Sequence, residues 1–482
     1  MDREKQAFIT HICKELEDEN IAIFAGAGMS AGTGFVNWSE LLRPIAEELG
    51  LDVDREHDLV ALAQYHCNDN GNNRSQLNQR LIEEFSRDAN ETEVHRILSR
   101  LPIRTFWTTN YDKLIESSLV KTGKTPDVKH TKQQLAFTKP KRDSVVYKMH
   151  GDVEHPSDAV LTKDDYEKYH VKMEQFLSSL KGDLISKTFI FIGFSFTDPN
   201  LDYILSRVRV AYDGNQRRHY CFIRSVQKND GESDADYEYR QRKQLLFIGD
   251  LNRFNIKTII IDDFDEIETL LKLVEINHKK KSFFISGAAH DYGSWGETKS
   301  LSFVSSLSSK LVRKGWNVVS GFGLGIGSSV ICGALEEIYV NQKRSIADQL
   351  LLRPFPQSAS TQSLPTLWTM YREDMISHAG FTILVFGNKL NDGEVVLSNG
   401  MLEEYEISKK KNNIILPIGA TGYMAKKIWE KEYQSLSAAE NTDDNFLTLF
   451  FELGDETKSP EQILVVIQNI IEYSIKKGEL HG

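Results

Sequence analysis

The chain has 482 residues, of which 40 % are hydrophobic and 26 % charged, and its formal net charge is −11. That length is too great for one compact core and predicts two or three domains of ordinary globular composition. The acidic balance excludes a protein that wraps a nucleic-acid backbone, which takes clustered Lys and Arg, while leaving room for a local nucleotide pocket.

In chain order, short β-rich runs alternate with longer helical patterns. The first half offers strands at Ile21–Ala25, Thr105–Thr109, Val145–Met149, Thr188–Ile192, Tyr220–Ile223 and Thr258–Ile261. Continuous apolar runs of this length suit strands buried on both faces of a parallel sheet. Helical patterns such as Trp38–Leu49 and Leu77–Phe85 lie between them, and the alternation points to an open α/β sheet. Leu270–Lys281 reads as a closing helix running into a Lys-rich stretch. The alternation then restarts at Ser282–Ser286, Trp316–Ser320, Leu350–Arg353, Thr382–Phe386 and Asn413–Pro417. The expectation is two α/β domains with open, doubly wound sheets, 1–278 and 282–482, with the boundary near 275–283. Gln227–Tyr239 and Gln357–Pro365 read as polar surface loops.

The cysteines Cys13, Cys67, Cys221 and Cys332 include no pair at C-x-x-C spacing, so no metal site is expected. So few, so scattered, fits a reducing compartment. The opening Met-Asp-Arg-Glu-Lys is unlike a signal peptide. No run reaches the ~18 apolar residues of a membrane span. These features predict a cytoplasmic protein with neither a membrane nor nucleic acid as partner.

Strand Ile21–Ala25 runs into Gly26-Ala27-Gly28-Met29-Ser30-Ala31, a G-x-G-x-x-A pattern. Glycines there let the backbone turn sharply and approach a pyrophosphate, with N–H groups and the next helix N-terminus facing the anion. The same pattern also arises as a strand-to-helix turn without a ligand. No acidic residue stands at the ribose-binding offset of a dehydrogenase, which speaks against hydride transfer. The next strands end in Thr109-Asn110-Tyr111-Asp112 and in Lys148-Met149-His150-Gly151-Asp152. Ligands of open α/β sheets bind beyond the carboxyl ends of strands, so Asn110, Asp112 and His150 share one rim with the glycine turn. Singly, Asn110 reads equally as a turn residue, Asp112 as a helix cap and His150 as a structural histidine. A further strand leads to Ile192-Gly193-Phe194-Ser195-Phe196-Thr197-Asp198, where Gly193 permits close approach and Ser195 offers a hydroxyl. Thr197 or Asp198 would cap a following helix.

Together these residues resemble the sirtuin family: Gly-Ala-Gly-Met-Ser at 26–30, Thr-Asn-Tyr-Asp at 109–112, Lys-x-His-Gly at 148–151 and Gly-Phe-Ser at 193–195, in order and each at a strand end. The resemblance implies a Rossmann-like domain with NAD as substrate. Gly26, Ala27, Gly28 and Ser30 would cradle the pyrophosphate, and Gly193 and Ser195 would contact the adenosine side. Asn110 would hold the nicotinamide-side ribose and a water, Asp112 the carboxamide, and His150 would be the general base. The sequence departs from sirtuin deacylases in having no zinc cysteines, and Val36-Asn37-Trp38 stands where Pro-Asp-Phe-Arg usually follows the turn. Without an acyl-lysine acceptor, water would capture the ribosyl centre. The expected activity is therefore NAD hydrolysis, with a protein deacylase and a non-catalytic nucleotide sensor as alternatives.

The second half resembles the SLOG family of Rossmann-like nucleotide-binding domains, on Ile285-Ser286-Gly287-Ala288 and on Ser320-Gly321-Phe322-Gly323-Leu324-Gly325-Ile326-Gly327-Ser328. Alternating glycines before a helix at Ser328–Tyr339 suit a phosphate nest; a flexible turn is the plainer reading. No glutamate adjoins the nest to act as a base, which favours a sensor over a second enzyme. The two halves in this order resemble the effector family of the bacterial Thoeris anti-phage system. That resemblance implies a homo-oligomer, a tetramer. It also implies activation by a cyclic ADP-ribose isomer made by a TIR-domain partner enzyme. Arg372, Lys389 and Glu404 would be its polar contacts, with Ser286, Gly287, Gly323 and Gly325 near its phosphates.

Overall fold

A computed structural model describes residues 2–35, 37–87, 89–196, 198–212, 216–341, 349–356, 363–439 and 443–481. Val36, Thr197 and residues 357–362 of the second expected loop lie outside them. The chain forms two compact units, Met1–Glu275 and Ile276–Gly482.

The first unit is built on a seven-stranded parallel sheet in the order β3-β4-β2-β1-β5-β6-β7. The strands are β1 (Ile21–Ala25), β2 (Thr105–Thr108), β3 (Pro126–Lys129), β4 (Ser144–Lys148), β5 (Thr188–Ile192), β6 (His219–Arg224) and β7 (Ile256–Ile261). Successive β1 residues feed opposite faces. Ile21, Ile23 and Ala25 pack with Phe8, Ile97 and Ile190, while Ala22 and Phe24 pack with Trp107, Phe176 and Phe191. Both faces are covered, which is why β1 and β5 read as unbroken apolar runs. From β1 the chain moves to β2 on one side and later to β5 on the other, so the strand order reverses at β1. A crevice opens beyond the strand ends at such a switch point. Register aligns that rim: Ala25 lies opposite Thr108 and Ile192, and Thr108 opposite Lys148.

The first unit departs from the sequence reading at three places. Strand β3 was not expected, because Pro-Asp-Val-Lys carries little hydrophobic signal. It lies at the sheet edge with Pro126 first, where a missing N–H is tolerated, and its buried Asp127 and Lys129 pair at 2.8 Å. The stretch expected to be a loop at 227–239 is helical from Asp234, in the helix Asp234–Asn252 capped by Ser233. That helix buries only Leu251 and has no apolar stripe to announce it. The glycine turn leads into two 3₁₀ turns, Ala27–Met29 and Ala31–Thr33, and the α-helix starts only at Trp38.

Helices Trp38–Glu48, Leu59–Asp69 and Ser75–Phe85 fill the long β1–β2 connection. They have a core of their own, including Leu42, Ile45, Leu62 and Leu81, which also takes in Tyr111 and Leu161 from the rim.

The second unit carries a five-stranded parallel sheet in the order β10-β9-β8-β11-β14, plus a two-stranded antiparallel ribbon, β12–β13. The strands are β8 (Ser282–Ala288), β9 (Asn317–Ser320), β10 (Leu350–Leu352), β11 (Phe381–Phe386), β12 (Asn388–Asn391), β13 (Glu394–Leu397) and β14 (Ile414–Pro417). Its switch point lies at β8, between β9 and β11. The unexpected ribbon turns at Asp392-Gly393, with φ values of 50° and 85°, the two left-handed positions of a tight hairpin turn.

Candidate functional site

The four motifs meet at the β1 switch point. Gly26 N–H donates to the Ile192 carbonyl and Gly28 N–H to that of Gly193, both at 2.9 Å, tying the two loops together. A Cβ on Gly26 would stand 2.4 Å from the Gly193 oxygen, and one on Gly193, at φ +63°, only 2.1 Å from Met29 N. Both positions are therefore closed to side chains by backbone packed on backbone. The sequence reading had explained the glycines by space for a phosphate.

Asn110 Nδ2 donates to the Gly26 carbonyl (3.1 Å) and to Ser30 Oγ (3.2 Å), and Ser30 Oγ donates to Asp112 Oδ2 (2.9 Å). Asp112 Oδ1 accepts from Leu114 N–H at 3.0 Å, so this residue both starts a helix and faces the site. Ser30, Asn110, Asp112 and His150 are buried. Asn110 Oδ1 enters no bond among the described residues. Ala27 and Gly28 are exposed at the rim, as is Ser195.

His150 leaves β4 with its carbonyl held by Val160 N–H (2.9 Å) and its ring edge-on to Tyr166, with centroids 5.5 Å apart. Its Nε2 lies 2.9 Å from Asp198 Oδ2, in contact but out of line for a well-aligned hydrogen bond. Asp198 Oδ1 accepts from Asn200 N–H (2.9 Å) and Leu201 N–H (3.1 Å) at the start of helix Pro199–Tyr212. Burial opposes its charge, but the adjacent imidazole and these N–H groups outweigh that and hold the carboxyl below its ordinary value. Sequence reading assigned Asp198 no more than a capping role. Its partner stands on another strand, and no local pattern announces the contact.

Lys148 was also passed over, although it lies inside the Lys-x-His-Gly motif. Its side chain is wholly buried, and its ammonium donates to the carbonyls of Tyr111 (3.0 Å) and Asp112 (2.6 Å), to Glu116 Oε1 (3.1 Å) and to Asp152 Oδ2 (2.6 Å). Burial pushes its pKa down, but the two carboxylates outweigh that and hold it above the ordinary lysine value. One cation thus fixes the loop bearing Asn110 and Asp112 to the strand bearing His150.

Ser30, Asn110, Asp112, His150, Ser195 and Asp198 line a cavity of about 890 Å³. Its roof comes from the helical insertion, through Phe35, Trp38, Leu41, Leu59 and Phe85, and Lys163 and Asp58 also reach it. An apolar wall facing polar groups at one end suits a ligand with a flat ring and a polar tail. No group of three or more His, Cys, Asp or Glu side chains fit to hold a metal occurs among the described residues. No helix among them is long and apolar enough to cross a membrane.

In the second unit, Ser286 Oγ donates to Glu404 Oε2 at 2.5 Å, and Glu404 Oε1 accepts from Arg372 Nε at 3.4 Å. Arg372 also donates to Glu403 (2.7 Å) and stacks over Phe355, 4.9 Å from the ring centre. Burial pushes the Glu404 carboxyl up, against Ser286 and Arg372, which pull it down. Gly323 packs on the Gly287 carbonyl, where an added Cβ would stand 1.9 Å away, and Gly325 packs likewise on that of Ala289. Arg372, Glu404 and Ser286 are therefore joined. Lys389 sits apart from these bonds, exposed on β12. Its neighbour Asn388 is fully buried and accepts from His290 and Asp291 N–H, both at 2.9 Å, pinning the loop after β8.

Residues 104–248 match the SIR2-like domain, and residues 266–474 the Sir2- and TIR-associating SLOG family. The chain is similar over nearly its whole length to proteins named NAD(+) hydrolase ThsA. It is 53 % identical to that of Bacillus cereus (strain MSX-D12), covering 97 % of this chain and 98 % of the relative. It is 44 % identical to those of Acinetobacter baumannii (strain 532279), covering 98 % and 99 %, and Cytobacillus dafuensis, covering 98 % and 97 %. With both domains matched in order and four motifs gathered at one switch point, the chain belongs to the ThsA family, a SIR2-like domain followed by a SLOG domain.

Proposed function

We propose that the first unit hydrolyses NAD⁺ to ADP-ribose and nicotinamide. The observation that carries this reading is the gathering of Ser30, Asn110, Asp112 and His150 in the lining of one partly apolar cavity. The exposed face of the turn at Ala27 and Gly28, where the Ala27 N–H enters no hydrogen bond among the described residues, would take the pyrophosphate, with Gly193 and Ser195 toward the adenosine. Asp112 would accept from the carboxamide and Asn110 would orient the ribose. The glycosidic C–N bond then breaks with its electron pair leaving on nicotinamide, which departs neutral, and the ribose carries the developing positive charge. Water forms the new C–O bond and gives up a proton, which His150 accepts directly or through a ribose hydroxyl. Membership of the ThsA family supports this reading. The cysteine spacing speaks against the zinc module of a deacylase.

The same proposal makes the second unit a sensor. A cyclic ADP-ribose isomer made by a TIR-domain partner enzyme would bind by the glycine loop, Arg372, Glu404 and Lys389, and switch on NAD⁺ cleavage in a cytoplasmic homo-oligomer, a tetramer. Depleting NAD⁺ would stop an infected cell before phage spreads, as a Thoeris effector. The test incubates the full chain with NAD⁺ and an acetyl-lysine peptide and follows nicotinamide, ADP-ribose and deacetylated peptide. Equal yields of nicotinamide and ADP-ribose, independent of peptide, are expected. Nicotinamide release that requires the peptide would make it a deacylase, and NAD⁺ binding without release, even with the product of a TIR-domain enzyme present, would make it a sensor.

A further inference from the structure

Asp198 has two separate attachments. Oδ1 takes the first N–H groups of a helix, those of Asn200 and Leu201, and Oδ2 stands 2.9 Å from His150 Nε2. Its side chain is 7 % exposed and that of His150 is 4 % exposed, so little water competes for either group. The capping bonds fix the carboxylate from the β5 side, while Tyr166 and the Val160 N–H fix His150 from the β4 side. A base oriented by a third group, itself locked by the scaffold, is the arrangement by which imidazoles are kept in one tautomer and orientation. His150 Nδ1 enters no hydrogen bond among the described residues. A carboxylate beside Nε2 favours the proton on that nitrogen and leaves the lone pair on Nδ1.

We infer that Asp198 is a positioning residue for NAD⁺ cleavage, acting through His150. It keeps the proton on Nε2, presents Nδ1 as the accepting atom, and stays ionised to stabilise the imidazolium that forms when His150 takes a proton. This rests on the reading of His150 as the base. The other charged groups of the cavity, Asp58, Asp112, Lys163 and Glu167, form no ion pair with His150 among the described residues. Among the described residues, the only carboxylate paired with the ring is therefore the one that also starts a helix.

The double role makes the inference testable, because asparagine caps a helix nearly as well as aspartate but carries no charge. The full chain is assayed with NAD⁺ as wild type, Asp198→Asn, His150→Ala and the double variant. Asp198→Asn is expected to melt within a few degrees of wild type and to keep its KM for NAD⁺, while kcat falls roughly 10- to 100-fold. In the His150→Ala background, where slow residual cleavage is followed at high enzyme concentration, Asp198→Asn is expected to cost nothing further. Wild-type turnover in Asp198→Asn would overturn the inference. So would an equal fold-loss in both backgrounds, which would mean that Asp198 acts on the substrate itself. Wild-type turnover in His150→Ala would remove the base, a failure of the underlying reading distinct from both.

Discussion

At the scale of single residues, burial decides which groups titrate. His219 opens β6, is fully buried, and its Nδ1 accepts the Phe189 N–H at 3.1 Å; burial and then Arg217 lower its pKa to about 3. His95 is lowered by burial to about 4. Both are neutral in the folded chain and would take up a proton near 6.5 once unfolded. A folded pKa below the unfolded one means stability that is complete above about pH 6.5 and lost as the pH falls toward 4. The slope is about 1.4 kcal/mol per pH unit for each histidine. Urea unfolding followed from pH 7 to pH 4.5 should show this decline, and His219→Gln should make it shallower; a flat profile would contradict it. His150, Asn110 and Asp112 were legible because ligands collect at strand ends, and short runs such as Trp107-Thr108-Thr109-Asn110 mark a strand end without knowledge of the fold. Asp198 and Glu403 were not legible as site residues, because what singles them out is a partner on another element.

At the scale of elements, the rim is held by few cross-links, and Lys148 is the most connected. Replacing it by methionine keeps the aliphatic stem but leaves the carboxylates of Glu116 and Asp152 buried without their cation and two carbonyls without a donor. A broken buried pair of this kind costs roughly 3–5 kcal/mol. Urea unfolding of Lys148→Met should show a loss of that size, with lower NAD⁺ turnover because the Tyr111–Asp112 loop loses its anchor to β4. A variant as stable and active as wild type would show that the network is dispensable. Buried strands and most helices could be read from hydropathy because each buries a face with its own period. The edge strand β3 and the helix Asp234–Asn252 could not, since neither has a wholly apolar face. The Asp392-Gly393 hairpin does have a local signature, the Asp-Gly pair of a tight turn between short runs.

At the scale of the whole molecule, both units repeat one plan: a parallel sheet, a reversal of strand order, and glycine loops packed backbone to backbone at the reversal. The two-domain reading followed from the gap in strand-helix alternation near residue 280, and the chain divides at Glu275–Ile276. How a ligand in one unit would change the other has no local signature. The proposal still has a sharp consequence. Arg372 is held by Glu403 and Glu404, so an incoming phosphate must compete with these carboxylates, and only the guanidinium plane offers it paired hydrogen bonds. Arg372→Ala and Arg372→Lys should both bind a cyclic ADP-ribose isomer at least ~10-fold more weakly by calorimetry and lose stimulated cleavage, with NAD⁺ binding intact. A full response in Arg372→Ala would move the sensor site elsewhere.

The central claim, that NAD⁺ is cleaved where Asn110 and His150 meet, is tested most directly by nicotinamide release from NAD⁺ in wild type, His150→Ala and Asn110→Ala. Each reaction is run with and without the product of a TIR-domain enzyme. The wild type should release nicotinamide, more so with that product. His150→Ala should lose at least ~100-fold while melting normally, and Asn110→Ala should lose activity with about 1–2 kcal/mol of stability from its broken buried bonds. A folded His150→Ala that releases nicotinamide at the wild-type rate would contradict the account.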